Sequence, residues 1–220
     1  MKKVFISRDL SEDSIFRKML IASGFEVHGE SLVKFSAVPV GALPPADWLF
    51  FYSKTGVHFF FQQISPAKIA GSKLAAIGPG TAAALESACR PPDFTGSGDP
   101  GQTASAFLQT AKGQRVLFCR AKESRKSVQT LLGPYLAALD LVVYENTPRR
   151  EFVLPDFDVL VFTSPMNVQA YFSGKRWREN QMVAAIGETT AKALAEVGAG
   201  PVLVAEDPSE EGLAAAVLKS

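Results

Sequence analysis

The chain has 220 residues, 47% of them hydrophobic and 20% charged, with a formal net charge of +1. That composition belongs to a folded globular protein and excludes disordered and collagen-like classes, while the near-neutral balance argues against a nucleic-acid binder held by a basic face. Two cysteines, Cys89 and Cys119, and two histidines, His28 and His58, supply neither a disulfide framework nor a zinc site, so no metal centre is expected.

The N-terminus, Met1-Lys2-Lys3-Val4-Phe5, runs directly into an acidic amphipathic segment with no apolar leader and cleavage site, so the expected protein starts here. Strands are predicted at Lys3 to Ile6, Phe25 to His28, Trp48 to Phe51, Lys73 to Ile77, Arg115 to Phe118, Leu141 to Tyr144, Val159 to Phe162, Val183 to Ile186 and Pro201 to Val204. Helical patterns fill most of the gaps, the rhythm of βα units in a mostly parallel sheet. The first helix is predicted from about Ser11 to Ala22, with Asp9 and Glu12 as a cap pair and Ile15, Met19 and Ala22 on its core face. Two segments break the rhythm, Phe35 to Pro45 and Glu145 to Pro155, and both read as domain crossings. The longest apolar runs, such as Trp48 to Tyr52 and Val57 to Phe61, are too short to cross a bilayer. A cytoplasmic protein without membrane association is expected.

The sequence also repeats itself. Asp47-Trp-Leu-Phe-Phe-Tyr-Ser53 returns as Asp158-Val-Leu-Val-Phe-Thr-Ser164, and Ala76-Ile-Gly78-Pro-Gly-Thr81 returns as Ala185-Ile-Gly187-Glu-Thr-Thr190. Phe5-Ile-Ser-Arg8 and Leu117-Phe-Cys-Arg120, and the pairs Asp99-Pro100 and Asp207-Pro208, keep the same order at an offset of about 110 residues. A period this long describes two similar domains rather than a solenoid, and a cleft between domains is where a small ligand is expected. Periodicity leaves two arrangements open. The domains follow one another, or the chain leaves one, builds the other and returns.

In each copy an apolar strand ends in a hydroxyl residue and turns into a helix, at Ser53-Lys54 and at Ser164-Pro165. Serine accepts an orphan N–H at a helix start and proline has none to leave unpaired, so helical N–H groups face the strand's carboxyl end. Gly78-Pro79-Gly80-Thr81 and Gly187-Glu188-Thr189-Thr190 repeat that design. Such ends collect along one edge of an open α/β sheet and attract carboxylate or phosphate without net positive charge. The plain alternative is that Ser53 and Ser164 only cap helices. Arg8 and Arg120 follow strands at equivalent places and, with Lys122, Arg125 and Lys126, could supply fixed charge there or simply be solvated. No dinucleotide fingerprint or phosphate loop is present. A Ser-His-Asp system is not supported, because His58 lies inside a Phe-rich helix and His28 ends a strand. The remaining candidate acid is Tyr144, a phenol closing the run Leu141-Val-Val-Tyr144.

Ile6-Ser-Arg-Asp9, Phe50-Phe-Tyr-Ser53-Lys-Thr-Gly-Val57, Ala76-Ile-Gly-Pro-Gly-Thr81, Val142-Val-Tyr-Glu-Asn-Thr147, Phe162-Thr-Ser-Pro165, Ala184-Ala-Ile-Gly-Glu-Thr-Thr190 and Pro208-Ser209, taken together and in order, resemble the uroporphyrinogen-III synthase family over the whole chain. The resemblance implies two flavodoxin-like, doubly wound parallel-sheet domains joined by a two-stranded β linker. It favours the returning arrangement, with residues 1–36 and 149–220 in one domain, 40–145 in the other, and linkers at about 37–39 and 146–148. It implies a lyase that closes hydroxymethylbilane, a linear tetrapyrrole with eight carboxylates, to uroporphyrinogen III with loss of water and inversion of the last ring, using no cofactor. Tyr144 falls on the family's proton donor. Arg8, Ser53, Lys54, Thr81, Ser164, Pro165, Thr189 and Thr190 fall on substrate-binding positions, although Lys54 stands where the second copy has Pro165. The protein so implied is a monomer that could meet hydroxymethylbilane synthase in passing. The competing class is a non-catalytic two-lobed binding or sensor protein for an anionic small molecule.

Overall fold

Uninterrupted apolar strands such as Trp48-Leu-Phe-Phe51 are satisfied only in a sheet covered on both faces, and the chain builds two such sheets. The computed structural model describes residues 1–219. One unit comprises the chain from Met1 to Lys34 together with the part from Thr147 onward, and the other comprises Phe35–Asn146.

The first unit contains β1 (Lys3–Ile6), α1 (Ile15–Ala22) and β2 (Glu26–Gly29). Chain order then passes through β3 (Val33–Ala37), which crosses the unit boundary. The second unit follows with β4 (Trp48–Phe51), α2 (Lys54–Phe61), β5 (Lys73–Ala76), α3 (Pro79–Ala88), β6 (Phe94–Thr95), α4 (Pro100–Ala111), β7 (Arg115–Ala121) and α5 (Ser127–Leu132). The long β8 (Ala137–Pro148) leads back to the first unit, which is completed by β9 (Val159–Phe162), α6 (Pro165–Gly174), β10 (Met182–Ala185), α7 (Glu188–Glu196), β11 (Val202–Val204) and α8 (Glu210–Leu218).

The first sheet runs β11-β10-β9-β1-β2, and its strand pairs are parallel. The second runs β3-β8-β7-β4-β5-β6, and its pairs from β8 to β6 are parallel. Successive strand residues feed opposite faces. Val4, Ile6, Val159 and Val161 join one core layer of the first unit, and Phe5, Leu160 and Phe162 join the other. Trp48, Phe50 and Phe118 divide in the same way from Leu49, Phe51 and Cys119 in the second. Among the described residues no helix is long and apolar enough to cross a membrane.

Three local expectations are corrected. The first helix begins at Ile15, capped by Ser14, whose Oγ accepts the Arg17 N–H at 3.2 Å. Its buried stripe is Phe16 and Leu20, whereas Ile15 is 44% exposed and Ala22 is also exposed. The phase is one residue away from the predicted face because the i,i+4 pair that includes the aromatic ring removes more apolar surface from water. Asp9 does not cap this helix; it accepts the Ser31 N–H at 3.1 Å. Part of the first expected break is the strand β3, and β8 continues through the start of the second break to Pro148.

Candidate functional site

In a parallel sheet every strand delivers its carboxyl end, and the N-terminus of the helix that follows, to one edge. In the second unit that edge brings together Ser53, Lys54 and Tyr144. Ser53 is the N-cap of α2, and its Oγ accepts the Gly56 N–H at 3.0 Å. The same Oγ lies 3.2 Å from Tyr144 Oη, with either oxygen able to donate. Tyr144 sits inside β8, only 8% exposed, with its ring stacked on Phe59 at 5.5 Å and tilted against Phe35 at 6.1 Å.

Lys54 is exposed in the first turn of α2, and among the described residues it has no carboxylate partner. A methyl group placed on Gly80 would sit 3.1 Å from Lys54 Cε and 3.7 Å from its Nζ. The ammonium therefore lies beside the N-terminal turn of α3, where the helix dipole and peptide N–H groups also favour an anion. Thr81 stands in that turn but is only 6% exposed, whereas Pro79 and Gly80 before it are exposed. Gly78 closes the corner tightly, since a Cβ there would come 2.9 Å from Gly98 Cα. Its counterpart Gly187 has open space around it, so the two copies differ at this turn.

The two phenols, Tyr52 just after β4 and Tyr144 inside β8, are not equivalent. Tyr52 Oη accepts the Gln129 N–H at 2.9 Å, and burial pushes its pKa up to about 12. Tyr52 is thus committed to holding α5, whereas Tyr144 pairs with a side-chain hydroxyl.

In the first unit Ser164 caps α6, accepting the Asn167 N–H at 3.3 Å and an Asn167 Nδ2 hydrogen at 3.0 Å, with Pro165 in the first turn. Asn167 is buried, and its Oδ1 accepts the Leu32 N–H at 2.8 Å. Beside it Ser7 Oγ accepts the Thr163 N–H at 2.9 Å while Thr163 Oγ1 donates to the Ser7 carbonyl at 3.0 Å, which locks the ends of β1 and β9 together. At the start of α7 Thr189 is exposed and Thr190 is 3% exposed.

The strand-end arginines are already engaged. Arg8 Nη1 lies 3.7 Å from Glu210, which also accepts the Ser14 hydroxyl at 2.7 Å and the Phe16 N–H at 3.2 Å. Burial alone would raise the Glu210 pKa, but those hydrogen bonds and the Arg8 charge outweigh it and hold the carboxyl below its usual value. Arg120, offered by its sequence position as edge charge, is instead a buried structural cation that donates to Asp140 at 2.7 Å and to the carbonyls of Ala121 and Lys122. Lys126 also pairs with Asp140, and Lys122 pairs with Glu145. Among the described residues, Lys54 is therefore the free cation that the second edge retains from the predicted set of binding residues.

Sequence reasoning missed Asn167, Ser7, Thr163 and Glu210. The strand-end hydroxyls Ser7 and Thr163 were visible as a pattern, and Asn167 sits three residues after a cap, where a side chain can return to it. Nothing local marks Glu210 as the carboxylate that fixes Arg8.

Comparison with known proteins gives one family. A family model described as uroporphyrinogen-III synthase HemD matches residues 16–215. The solved uroporphyrinogen-III synthetase of Helicobacter pylori 26695 is similar at a TM-score of 0.73 and 23% identity, over 100% of this chain and 99% of that one. A mutant uroporphyrinogen III synthase of the extremely thermophilic bacterium Thermus thermophilus is similar at a TM-score of 0.56 and 20% identity, over 100% of both chains. At these identities the likeness is one of fold. No curated protein sequence matches.

Proposed function

The chain belongs to the uroporphyrinogen-III synthase family, lyases of tetrapyrrole biosynthesis, and from that premise we propose that Tyr144 is the proton donor when it closes hydroxymethylbilane to uroporphyrinogen III. The observation that carries this role is the Ser53–Tyr144 hydroxyl pair, 3.2 Å apart. Ser53 Oγ already accepts the Gly56 N–H, so its own hydrogen is free to turn toward Tyr144 Oη. The phenol proton is then available to the departing hydroxyl of the substrate. As the C–O bond breaks, that hydroxyl takes the Tyr144 proton and leaves as water, while the Ser53 O–H supports the resulting phenolate. Carbon–carbon closure onto the inverted ring later releases one proton from that ring, which restores Tyr144 and balances the reaction.

The substrate's carboxylates are held, in this reading, by the helix N-termini that each unit presents at its sheet edge: those capped by Ser53 and Ser164, and those opened by Gly78 and Gly187, with Thr81, Pro165, Thr189 and Thr190 in the first turns. Lys54 adds one exposed charge, and Arg8 presents a guanidinium steadied by Glu210. The internal duplication is part of the same proposal. Placing β6, β5, β4, β7 and β8 where the repeats align them, on β11, β10, β9, β1 and β2, yields one strand order for both sheets, and that order supports two flavodoxin-like halves. β3 and the end of β8 support the two-stranded link.

The grip is tested at Lys54. Lys54→Met is expected to raise KM for hydroxymethylbilane about threefold with kcat unchanged, the size of one exposed charge contact. An unaltered KM would remove Lys54 from the carboxylate site.

A further inference from the structure

Phe35, 46% exposed, takes no part in the chemistry above and forms with Phe59, Lys54, Thr55 and His58 an open pocket of about 400 Å³ in the second unit. Together with the half-buried Phe59 it gives the pocket a continuous aromatic wall. Phe59 connects the pocket to the proposed acid, because its ring stacks on Tyr144 with an interplanar angle of 17°. The rim carries opposite character. Lys54 has no carboxylate partner among the described residues, and His58 is exposed with its ring against the Gln62 side chain at 2.9 Å.

We propose that this pocket is a ring subsite, in which one pyrrole of the linear tetrapyrrole stacks against Phe35 and Phe59 while its carboxylate arms reach Lys54. The inference rests on the family reading above and specifies how one ring is placed. A pyrrole ring is flat, electron-rich and apolar across its faces, and it carries negative groups at its edge. The pocket supplies aromatic surface with a cation at its margin, which is complementary on both counts. The volume lies toward the small end of ligand pockets, suited to one ring and its arms rather than to the whole tetrapyrrole. Continuity through Phe59 places the bound ring beside the Tyr144 stack, so the subsite would also help to hold the substrate in reacting geometry.

Steady-state kinetics on Phe35→Ala, Phe35→Leu and Phe35→Tyr separate stacking from bulk. Phe35→Ala and Phe35→Leu are expected to raise KM for hydroxymethylbilane about fivefold, and Phe35→Tyr to keep the wild-type value, the range expected for one aromatic contact. Thr55→Phe, which places a ring in the pocket from another of its lining positions, is expected to raise KM by at least as much with kcat within about twofold, on the same stacking scale. Wild-type KM in Phe35→Ala and Thr55→Phe would overturn the subsite, as would equal values for the Leu and Tyr variants. Wild-type protein that forms no type III product would overturn the proposed reaction instead, so the two failures are distinguishable.

Discussion

Tyr144→Phe is expected to lower the turnover of hydroxymethylbilane at least tenfold, a floor set below the usual contribution of about a hundredfold or more for a positioned general acid. The substitution removes one oxygen and leaves the ring, so the stack on Phe59 and the contact with Phe35 persist. The loss should therefore fall on kcat, with KM within about twofold, because an interaction used only as the C–O bond breaks is absent from the ground state. Ser53 keeps its bond from the Gly56 N–H and the α2 cap survives, so the fold is not the cause of any loss. An unchanged kcat would show that the leaving hydroxyl takes its proton from elsewhere and would remove Tyr144 from its role.

Asp140→Ala is expected to destabilise the second unit by about 3 kcal/mol, the lower end for one-sided removal of a buried ion pair. The Arg120 side chain is 8% exposed and would be left without its carboxylate, while Asp140 itself is 33% exposed, which moderates the cost. Urea unfolding followed by circular dichroism measures the change, and a shift below about 1 kcal/mol would mean that the Ala121 and Lys122 carbonyls suffice for Arg120. The same pair has a pH signature. Burial pushes Asp140 upward, but hydrogen bonds from Arg120 and Lys126 outweigh it and bring the pKa down to about 2. Because the folded value lies below the unfolded one of about 3.9, the stabilisation is fully present above roughly pH 4. It is lost as pH falls through about 2. Asp140→Ala should lack that part of the acid transition.

Strands buried on both faces were the most legible part of the fold. Lys3–Ile6, Trp48–Phe51 and Val159–Phe162 appear in the structure with the bounds their apolar runs suggest. β3 is not legible because Val33-Lys-Phe-Ser-Ala37 is partly exposed along its length, and β6 because two residues carry no period. The helix caps at Ser53 and Ser164 were legible for the opposite reason, since capping is decided within three residues. Long-range partners were not. Ser53 meets Tyr144 across 91 positions, and Ser14 meets Glu210 across 196. Arg120 shows the cost of that blindness. A strand-end arginine has one spelling whether it faces a ligand or, as here, an internal aspartate, and only its burial beside Asp140 resolves which.

A chain that directs ring inversion leaves its mark on the isomer of the macrocycle. Freshly prepared hydroxymethylbilane closes without help to the type I product. Incubated with the protein, oxidised to porphyrin and separated by chromatography, it is expected to yield the type III isomer in proportion to protein concentration. Recovery of type I alone, at the rate seen in buffer, would mean that the protein does not direct ring inversion.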